Sequence, residues 1–390
     1  MLKEQALKLH EDNRGKIEVN SKIKIETKED LSLAYSPGVA QPCLKIAENP
    51  DDVYKYTSKG NLVAVVSDGS AVLGLGNIGA LAGLPVMEGK SILFKRFGGI
   101  DAFPICLNTQ DTEEIIKVCK AIAPNFGGIN LEDISSPRCF EIEQRLEKDL
   151  DIPVFHDDQH GTAIVVTAAL MNAVKLTDKQ YKNLKVVVNG PGAAGVAIIN
   201  MLLHTGIQNI VACDEHGILY KGRNPLEGHK EQLCNVTNLD NKQGDLADAL
   251  VNADVFIGVS APNVLTTQMI KQMSYEPIVF AMANPVPEIG YDEAKEAGVK
   301  VMATGRSDYP NQVNNVLAFP GIFKGALQVR ATQINYQMKI AAAQAIASII
   351  EHDELTTQYI IPSALDARVA ERVAQYVAKA AVETGVAKLN

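Results

Sequence analysis

Acidic residues follow two short apolar runs of the sequence in a pattern that suits a hard metal ion. Glu132 and Asp133 come directly after the first run, and Asp157 and Asp158 come just after the second. Several ionised carboxylates in one cleft repel each other unless a cation compensates them. Ligation by oxygen atoms alone favours Mg²⁺ or Mn²⁺. The pattern therefore predicts a divalent cation bound by Glu132, Asp133 and one of the two later aspartates.

Two other interpretations of these segments stay open. Glu132 and Asp133 taken alone are typical of a solvated surface, and only their combination with the later aspartates favours a metal. His156 and His160 suggest zinc, but their segment does not have the HExxH spacing and is predicted to open as a loop.

Lys90 and Tyr35 are candidates for acid–base chemistry. Lys90 precedes the apolar run Ser91–Phe94, which predicts a strand. Partial burial there would lower the pKa of Lys90, so that its neutral amine could act as a base. Tyr35 lies before Ser36-Pro37-Gly38, a turn that could fix a phenol at a cleft wall. A snorkelling lysine and a packed tyrosine remain the alternatives.

A glycine-rich loop after the apolar run Leu184–Val188 has the GxGxxG spacing of a dinucleotide site. Such glycines allow a tight turn and the close approach of a pyrophosphate, whose charge meets free amides at a helix N-terminus. A structural turn without a ligand is the alternative. NAD or NADP is predicted to bind at Gly190, Gly192, Ala193, Ala194 and Gly195.

Asp214 ends the next predicted strand, about where a carboxylate would accept hydrogen bonds from the adenosine ribose. An acid at this position favours NAD, because it would repel the 2′-phosphate of NADP. Lys221 and Arg223 lie close in sequence, so NADP also stays open.

A second GxGxxG segment occupies Gly74–Gly79. Gly83 and Pro85 interrupt the helix that should follow such a loop in a dinucleotide site. The segment is therefore predicted to form a tight turn that shapes a substrate pocket, with direct dinucleotide binding as the alternative.

The elements that must position these residues alternate along the chain. From about residue 60 onward, short apolar runs are separated by helical patterns, which is typical of an α/β fold with parallel sheets. We expect an N-terminal α/β substrate and metal domain over residues 1–155. A Rossmann-like, doubly wound dinucleotide domain with C-terminal helices should follow over residues 156–390.

Composition narrows the class of protein. The 390 residues are 46% hydrophobic and 21% charged, as in globular proteins of two ordinary domains. A net charge of −9 without a long basic run disfavours nucleic acid and membrane surfaces as partners. The six cysteines form no CxxC pair, and no secretory or membrane-spanning segment is recognised, so a cytoplasmic protein is expected.

Together, these motifs resemble those of the short bacterial malic enzymes over nearly the whole sequence. The segments that carry the resemblance are Leu33–Ala40, Ser67–Gly69, Leu73–Gly79, Gly89-Lys90, Leu131–Ile134, Phe155–Ala163, Gly190–Gly195, Ala283–Pro285 and Asn311–Asn315. The resemblance implies a homodimer that uses NAD or NADP and a divalent metal to oxidise L-malate and decarboxylate it to pyruvate. A malolactic enzyme that keeps NADH bound, or a silent nucleotide sensor, stays open as an alternative.

By motif, the resemblance also implies the role of each catalytic candidate. Tyr35 would be the general acid and Lys90 the general base, with Asp157 orienting Lys90. The metal ligands would be Glu132, Asp133 and Asp158.

Asparagine amides would hold the substrate and the nicotinamide. The resemblance implies Asn284 and Asn315 for this role, with Asn314 as a close second. One position departs from the pattern of larger family members: in the turn just before Leu73–Gly79 they carry an arginine for the substrate carboxylate, and this sequence has Ser70-Ala71-Val72 there. Lys95, Arg96 or a basic residue of another subunit is expected to replace that arginine.

Overall fold

The structure is a computed structural model that describes residues 2–72, 74–226 and 228–389. Leu73, part of the second glycine segment, lies outside the described residues. Two mainly parallel sheets form the frame, as the alternating pattern predicted. The α/β class is confirmed.

The first sheet is parallel throughout and has the strand order β2-β1-β3-β4. Its strands are β1 (Leu62–Ser67), β2 (Asp101–Cys106), β3 (Gly128–Leu131) and β4 (Val154–His156). Because parallel strands end at one edge, the residues that follow β1, β3 and β4 meet there.

The second sheet has the order β10-β9-β8-β5-β6-β7, and only the short β7 runs antiparallel among its described strands. Its strands are β5 (Lys185–Asn189), β6 (Asn209–Asp214), β7 (Gly217–Ile218), β8 (Val255–Gly258), β9 (Ile278–Ala281) and β10 (Val301–Thr304). The chain runs outward from β5 in both directions, so β5 and β8 flank a topological switch point. The doubly wound prediction is confirmed.

Helices cover both sheets. They are α1 (Leu2–Asn13), α2 (Lys28–Ala34), α3 (Ala40–Glu48), α4 (Val53–Tyr56), α5 (Gly79–Leu93), α6 (Thr112–Ile122), α7 (Arg138–Asp149), α8 (Asp157–Val174), α9 (Ala193–His204), α10 (Gly228–Leu233), α11 (Leu246–Leu250), α12 (Thr267–Ile270), α13 (Tyr291–Glu296), α14 (Phe319–Gln328), α15 (Tyr336–Ala347) and α16 (Arg368–Glu383). In the described part of the chain, none of them is long and apolar enough to cross a bilayer.

Lys90 lies inside α5, so the prediction of a strand over Ser91–Phe94 was wrong. The buried positions Gly83, Met87 and Lys90 recur every three or four residues, which is a helical period. Pro85 removes one backbone donor from this helix but does not end it.

Helix α8 begins at Asp157, so the loop expected over 156–161 was also wrong. Fifteen of its 18 residues are buried. A helix that is buried on nearly every side has no polar face, and no amphipathic period marks where it starts.

The C-terminal helices complete the core of the first sheet. The Phe94 ring, which continues α5, lies 4.6 Å from the ring of Phe319 and 5.3 Å from that of Phe323 in α14. The predicted helical C-terminus is confirmed, and part of it packs on the N-terminal half of the chain.

Candidate active site and cofactor cleft

Strand register brings the acidic residues to one edge of the first sheet. Leu131 of β3 pairs with His156 of β4, so Glu132 and Asp157 directly follow the ends of two adjacent strands. The α8 N-terminus starts at this point, and its free amides favour nearby negative charge. Two acids far apart in sequence are thereby placed side by side.

Lys90 lies between these two acids. Its ammonium is 2.5 Å from Asp157 Oδ2 and 2.8 Å from Glu132 Oε1. The Phe319 ring centroid lies 4.3 Å from Lys90 Nζ and closes the apolar side. Lys90 is only 9% exposed, so its charge is held by protein groups.

The pKa of Lys90 is raised, whereas its sequence context predicted that it would be lowered. Burial alone would lower it, but the carboxylates of Asp157 and Glu132 outweigh burial and raise the pKa above its usual range. Burial, reinforced by the neighbouring aspartates, raises the pKa of Glu132 despite the attraction of Lys90. Burial likewise raises the pKa of Asp157. The predicted lowering of the Lys90 pKa is therefore wrong for the protein alone.

Three carboxylates at this edge are arranged as a metal-ligand set. Glu132, Asp133 and Asp158 each offer an oxygen, and the three oxygens lie within 4.8 Å of one another. The backbone of Asp133 is left-handed, with φ of 55°, and its N–H donates to Asp158 Oδ2 over 2.7 Å. This set of hard oxygen donors fits Mg²⁺ or Mn²⁺. In the described ranges, no histidine belongs to a metal-capable group, which disfavours zinc.

Asn315 supports Asp157 from the far end of the chain. Its Nδ2 donates to Asp157 Oδ2 over 3.1 Å, and its Oδ1 accepts from Thr162 over 3.0 Å. A Cβ on Gly161 would lie 2.0 Å from Asp157 Oδ1, so only glycine leaves room for this carboxylate. Asn315 therefore lies in the candidate site, as predicted by motif.

Glu143 is a supporting residue that the sequence analysis missed. This buried carboxylate of α7 accepts from the His156 N–H over 2.7 Å, from Gln159 over 3.1 Å and from His160 over 2.9 Å. It fixes the junction of β4 and α8, from which Asp157 projects. The sequence feature that could have revealed Glu143 is an acid on the apolar face of an amphipathic helix, next to Cys139, Ile142 and Leu146.

Tyr35 stands apart from this cluster. It is the residue that ends α2, and it is 69% exposed. Helices α1, α2 and α3 contain no buried residue, and they expose apolar side chains such as Leu7, Leu31 and Leu33. Among the described contacts, no hydrogen bond links the Tyr35 phenol to Lys90.

The first turn of α9 has the glycine geometry of a dinucleotide loop. Gly190 has φ of 99°, and a Cβ there would lie 2.5 Å from the Val259 carbonyl oxygen. A Cβ on Gly195 would lie 2.0 Å from the Gly190 carbonyl oxygen, so a side chain would push the helix away. At Gly192 the space is open. Ala193 and Ala194 begin α9, whose free N–H groups face the loop.

A cavity of about 770 Å³ lies beside this loop, large enough for a nucleotide. It reaches from Gly190 and Ser260 at the switch point to Asp214 at the end of β6. Asp214 is already paired, with Arg223 and with Lys230, the latter over 3.1 Å. Burial opposes ionisation of Asp214, but the hydrogen bonds from Arg223 and the His216 N–H outweigh it and lower the pKa.

The second glycine segment meets the Rossmann-like half of the chain. A Cβ on Gly74 would lie 2.9 Å from the carbonyl oxygen of Asn284, so the two loops are in close contact. Gly79 begins α5 and its N–H donates to the Gly69 carbonyl, which makes the turn tight. The Asn314 side chain caps the turn that follows it, because its Oδ1 accepts a hydrogen bond from the Val316 N–H.

Within this chain, Lys95 does not replace the arginine that larger family members use for the substrate carboxylate. Its ammonium lies 2.7 Å from Asp101, the first residue of β2, at the sheet edge opposite the acids. Arg138 was missed: its Nη2 donates to Ser70 Oγ over 3.0 Å, and its Nη1 lies 2.9 Å from Asp68 Oδ2. Arg138 Nη2 also donates to Ser135 Oγ over 3.1 Å, so Arg138 links the loops after β1 and β3.

Two family models match this chain. The family model described as malic enzyme, N-terminal domain, matches residues 13–147, and the one described as malic enzyme, NAD binding domain, matches residues 159–382.

Relatives match nearly the whole chain. The bifunctional malic/malolactic enzyme of Bacillus subtilis is 59% identical over 100% of this chain and 95% of its own length. The NAD-dependent malic enzyme of Geobacillus stearothermophilus is 59% identical over 96% of this chain and 78% of its own. The crystal structure of malic enzyme from Pyrococcus horikoshii superposes with a TM-score of 0.97 at 52% identity, covering 100% of this chain and 93% of that one. This chain belongs to the malic enzyme family.

Proposed function

We propose that this protein oxidises L-malate with a nicotinamide cofactor and decarboxylates the product to pyruvate, and that it also decarboxylates added oxaloacetate. The observation that carries the proposal is Lys90, held between Asp157 and Glu132 beside a set of three carboxylates. A base next to a divalent-metal site suits a 2-hydroxy acid, whose hydroxyl must lose a proton as hydride leaves the same carbon.

Glu132, Asp133 and Asp158 would hold Mg²⁺ or Mn²⁺ in this proposal. When bound, such a cation polarises the hydroxyl and later the carbonyl oxygen of the substrate. With two of the nearby carboxylates engaged by a cation, less negative charge is left to stabilise the Lys90 ammonium. Lys90 can then start as a neutral amine despite the raised pKa that it has in the protein alone.

The protein groups divide the proton transfers between them. Lys90 accepts the proton of the C2 hydroxyl, while Asp157 and the Phe319 ring hold its amine in place. A nicotinamide bound at the Gly190–Gly195 loop would take the hydride from C2, which would convert the substrate to oxaloacetate. Loss of CO₂ then leaves an enolate, and Tyr35 donates a proton to its C3 to give pyruvate.

A second copy of the chain is part of this proposal. Tyr35 lies on an N-terminal surface that exposes Leu7, Leu31 and Leu33, and apolar patches of this kind mark protein interfaces. We infer a homodimer in which the partner covers this surface. Covering it would also remove the Tyr35 phenol from bulk water.

For the cofactor, we propose NAD, bound by Gly190, Gly192 and Gly195 with the adenosine ribose at Asp214. Asn284, at the contact with Gly74, would face the nicotinamide and substrate end together with Asn315. NADP is the second candidate, because Arg223 and Lys230 on Asp214 provide two cations that a 2′-phosphate could use.

A malolactic reaction is a second candidate for the chemistry. It is favoured by the name of the Bacillus subtilis relative, which is described as a bifunctional malic/malolactic enzyme. The same base, acid and metal ligands would serve, but bound NADH would return its hydride to pyruvate and lactate would leave.

An assay with L-malate and Mn²⁺ tests both candidates. Purified protein is incubated with NAD or NADP, and pyruvate, lactate and reduced cofactor are measured together. The proposal expects pyruvate and NADH to accumulate in equal amounts and to stop when Mn²⁺ is chelated. Lactate without net NADH would establish the malolactic reaction instead, and no product from malate with either cofactor would overturn the proposal.

A further inference from the structure

A second cavity lies beside α8, where Gln159 and His160 line it. Helices α7, α8, α9 and α15 contribute to its walls, and its volume is about 430 Å³. Ligand pockets commonly range from about 300 to 1,000 Å³. His229 lines both this cavity and the cofactor cavity, so the two spaces are neighbours.

Lys339 of α15 lines this second cavity with a buried charge. It is 5% exposed, yet its ammonium forms no hydrogen bond or ion pair with any residue in the described ranges. Aromatic rings are nearby, with centroids 5.1 Å away for Tyr336 and 6.0 Å away for Phe155. Burial lowers the pKa of Lys339, although Glu143 and Glu147 oppose this effect. A buried ammonium without an acceptor is costly, so a ligand oxygen would stabilise it.

Glu147 of α7 lines the same cavity with the opposite charge. Its carboxylate forms no ion pair with Lys339 or any other described residue, so the two groups face the cavity without neutralising each other. Burial, reinforced by Glu143, raises the pKa of Glu147 to about 7. The oxygens of Glu143 are already used by the His156 N–H, Gln159 and His160.

We propose that this cavity binds a small α-amino acid as a zwitterion, with its carboxylate on Lys339 and its ammonium on Glu147. The amide side chains of Gln144, Asn200 and Gln232 line the rest of the cavity and can bond a polar side chain of the ligand. This site is separate from the malate chemistry and does not depend on it.

The charges of the cavity favour a zwitterion over a singly charged ligand. A plain carboxylate would pair with Lys339 but add negative charge beside Glu143 and Glu147. A plain amine would pair with Glu147 but leave Lys339 without an acceptor and add positive charge beside it. Only a ligand with both groups pairs both the buried Lys339 and the partly buried Glu147.

Calorimetric titration of the purified enzyme, loaded with Mn²⁺ and NAD, tests the proposal. L-alanine, propionate and ethylamine serve as probes, because they share a short carbon skeleton and carry both charges, the carboxylate alone and the amine alone. We expect L-alanine to bind one site per chain at least about tenfold more tightly than either other probe. Equal binding of propionate and L-alanine, or no binding of L-alanine, would overturn the proposal.

Two variants locate the site. Lys339→Met and Glu147→Gln should each weaken L-alanine binding at least about tenfold, whereas Lys148→Met, an exposed neighbour on α7, should leave it unchanged. Lys90→Met separates this cavity from the active site, because L-alanine should still bind to that variant. Binding that survives both Lys339→Met and Glu147→Gln, or that is lost in Lys90→Met, would contradict the assignment.

Discussion

Lys90 and Tyr35, the proposed base and acid of one reaction, lie in opposite environments. Lys90 is buried and contacts Asp157, Glu132 and the Phe319 ring. Tyr35 lies on an N-terminal surface whose first three helices have no buried residues. A single chain therefore builds the base side of the site by itself, while the acid, Tyr35, is 69% exposed.

The two regions are held in place in different ways. The Lys90 cluster is fixed by strand register, by the start of α8 and by Asn315. Among the described contacts, the hydrogen bonds of residues 27–40 around Tyr35 are local, such as the Thr27 cap of α2. The exposed apolar side chains of this segment need a covering partner. A substitution of Lys90 should therefore impair the site of its own chain, whereas a substitution of Tyr35 should impair a site that is complete only in the assembled dimer.

The largest expected effect is on Lys90. Lys90→Met should lower kcat for malate oxidation by about 10³-fold, because the proposed mechanism assigns the proton of the C2 hydroxyl to Lys90. NAD binding, measured by fluorescence titration, should change little, since the glycine loop is elsewhere. Lys95→Met is the matched control and should keep normal turnover, because Lys95 pairs with Asp101 at the opposite sheet edge. A Lys90→Met enzyme with wild-type kcat would remove the base assignment.

Tyr35→Phe should have the next largest effect. We expect pyruvate formation from malate or oxaloacetate to fall by about 10²-fold, since protonation of C3 loses its donor. Tyr56→Phe, another partly exposed tyrosine of the N-terminal region, should be nearly neutral.

Mixing the two inactive variants sharpens the comparison further. If the partner supplies Tyr35, hybrids of Lys90→Met and Tyr35→Phe chains contain one intact site, and random mixing should restore about a quarter of wild-type activity. If each site uses its own Tyr35, mixing restores nothing. The second result, with hybrid formation verified by mass spectrometry, would place the acid and the base in the same chain.

The smallest effect concerns the cofactor. Asp214→Ser frees Arg223 and Lys230, so kcat/KM with NADP relative to NAD should rise about tenfold. Asp240→Ser, an exposed acid of the same region, should not change this ratio. An unchanged ratio in Asp214→Ser would show that the ribose does not lie at Asp214.

The sequence predicted those features that depend on local pattern. The apolar runs at β5, β6, β8 and β9 are bounded by turn residues, so these strands could be predicted. Parallel strands end at one edge of a sheet, so the acids after β3 and β4 could be placed together. The dinucleotide loop at 190–195 could be predicted because its GxGxxG spacing is a local pattern that follows a strand.

The remaining features depend on contacts between distant residues. Helix α5 contains Pro85 and carries apolar residues such as Leu81 on its exposed face as well, and α8 is buried on nearly all sides. In neither helix do the apolar residues of the sequence mark one face only. Phe319 and Glu143 reach the site from helices that carry no motif. The raised pKa of Lys90 follows from Asp157, which lies 67 residues away in sequence.

The central claim is that Glu132, Asp133 and Asp158 bind one divalent cation beside Lys90. Titration with Mn²⁺, with free Mn²⁺ measured by electron paramagnetic resonance, tests it most directly. We predict one tight site per chain in the wild type and at least about tenfold weaker binding in Glu132→Gln and in Asp158→Asn. Folded variants of both kinds that bind Mn²⁺ as tightly as the wild type would contradict the claim.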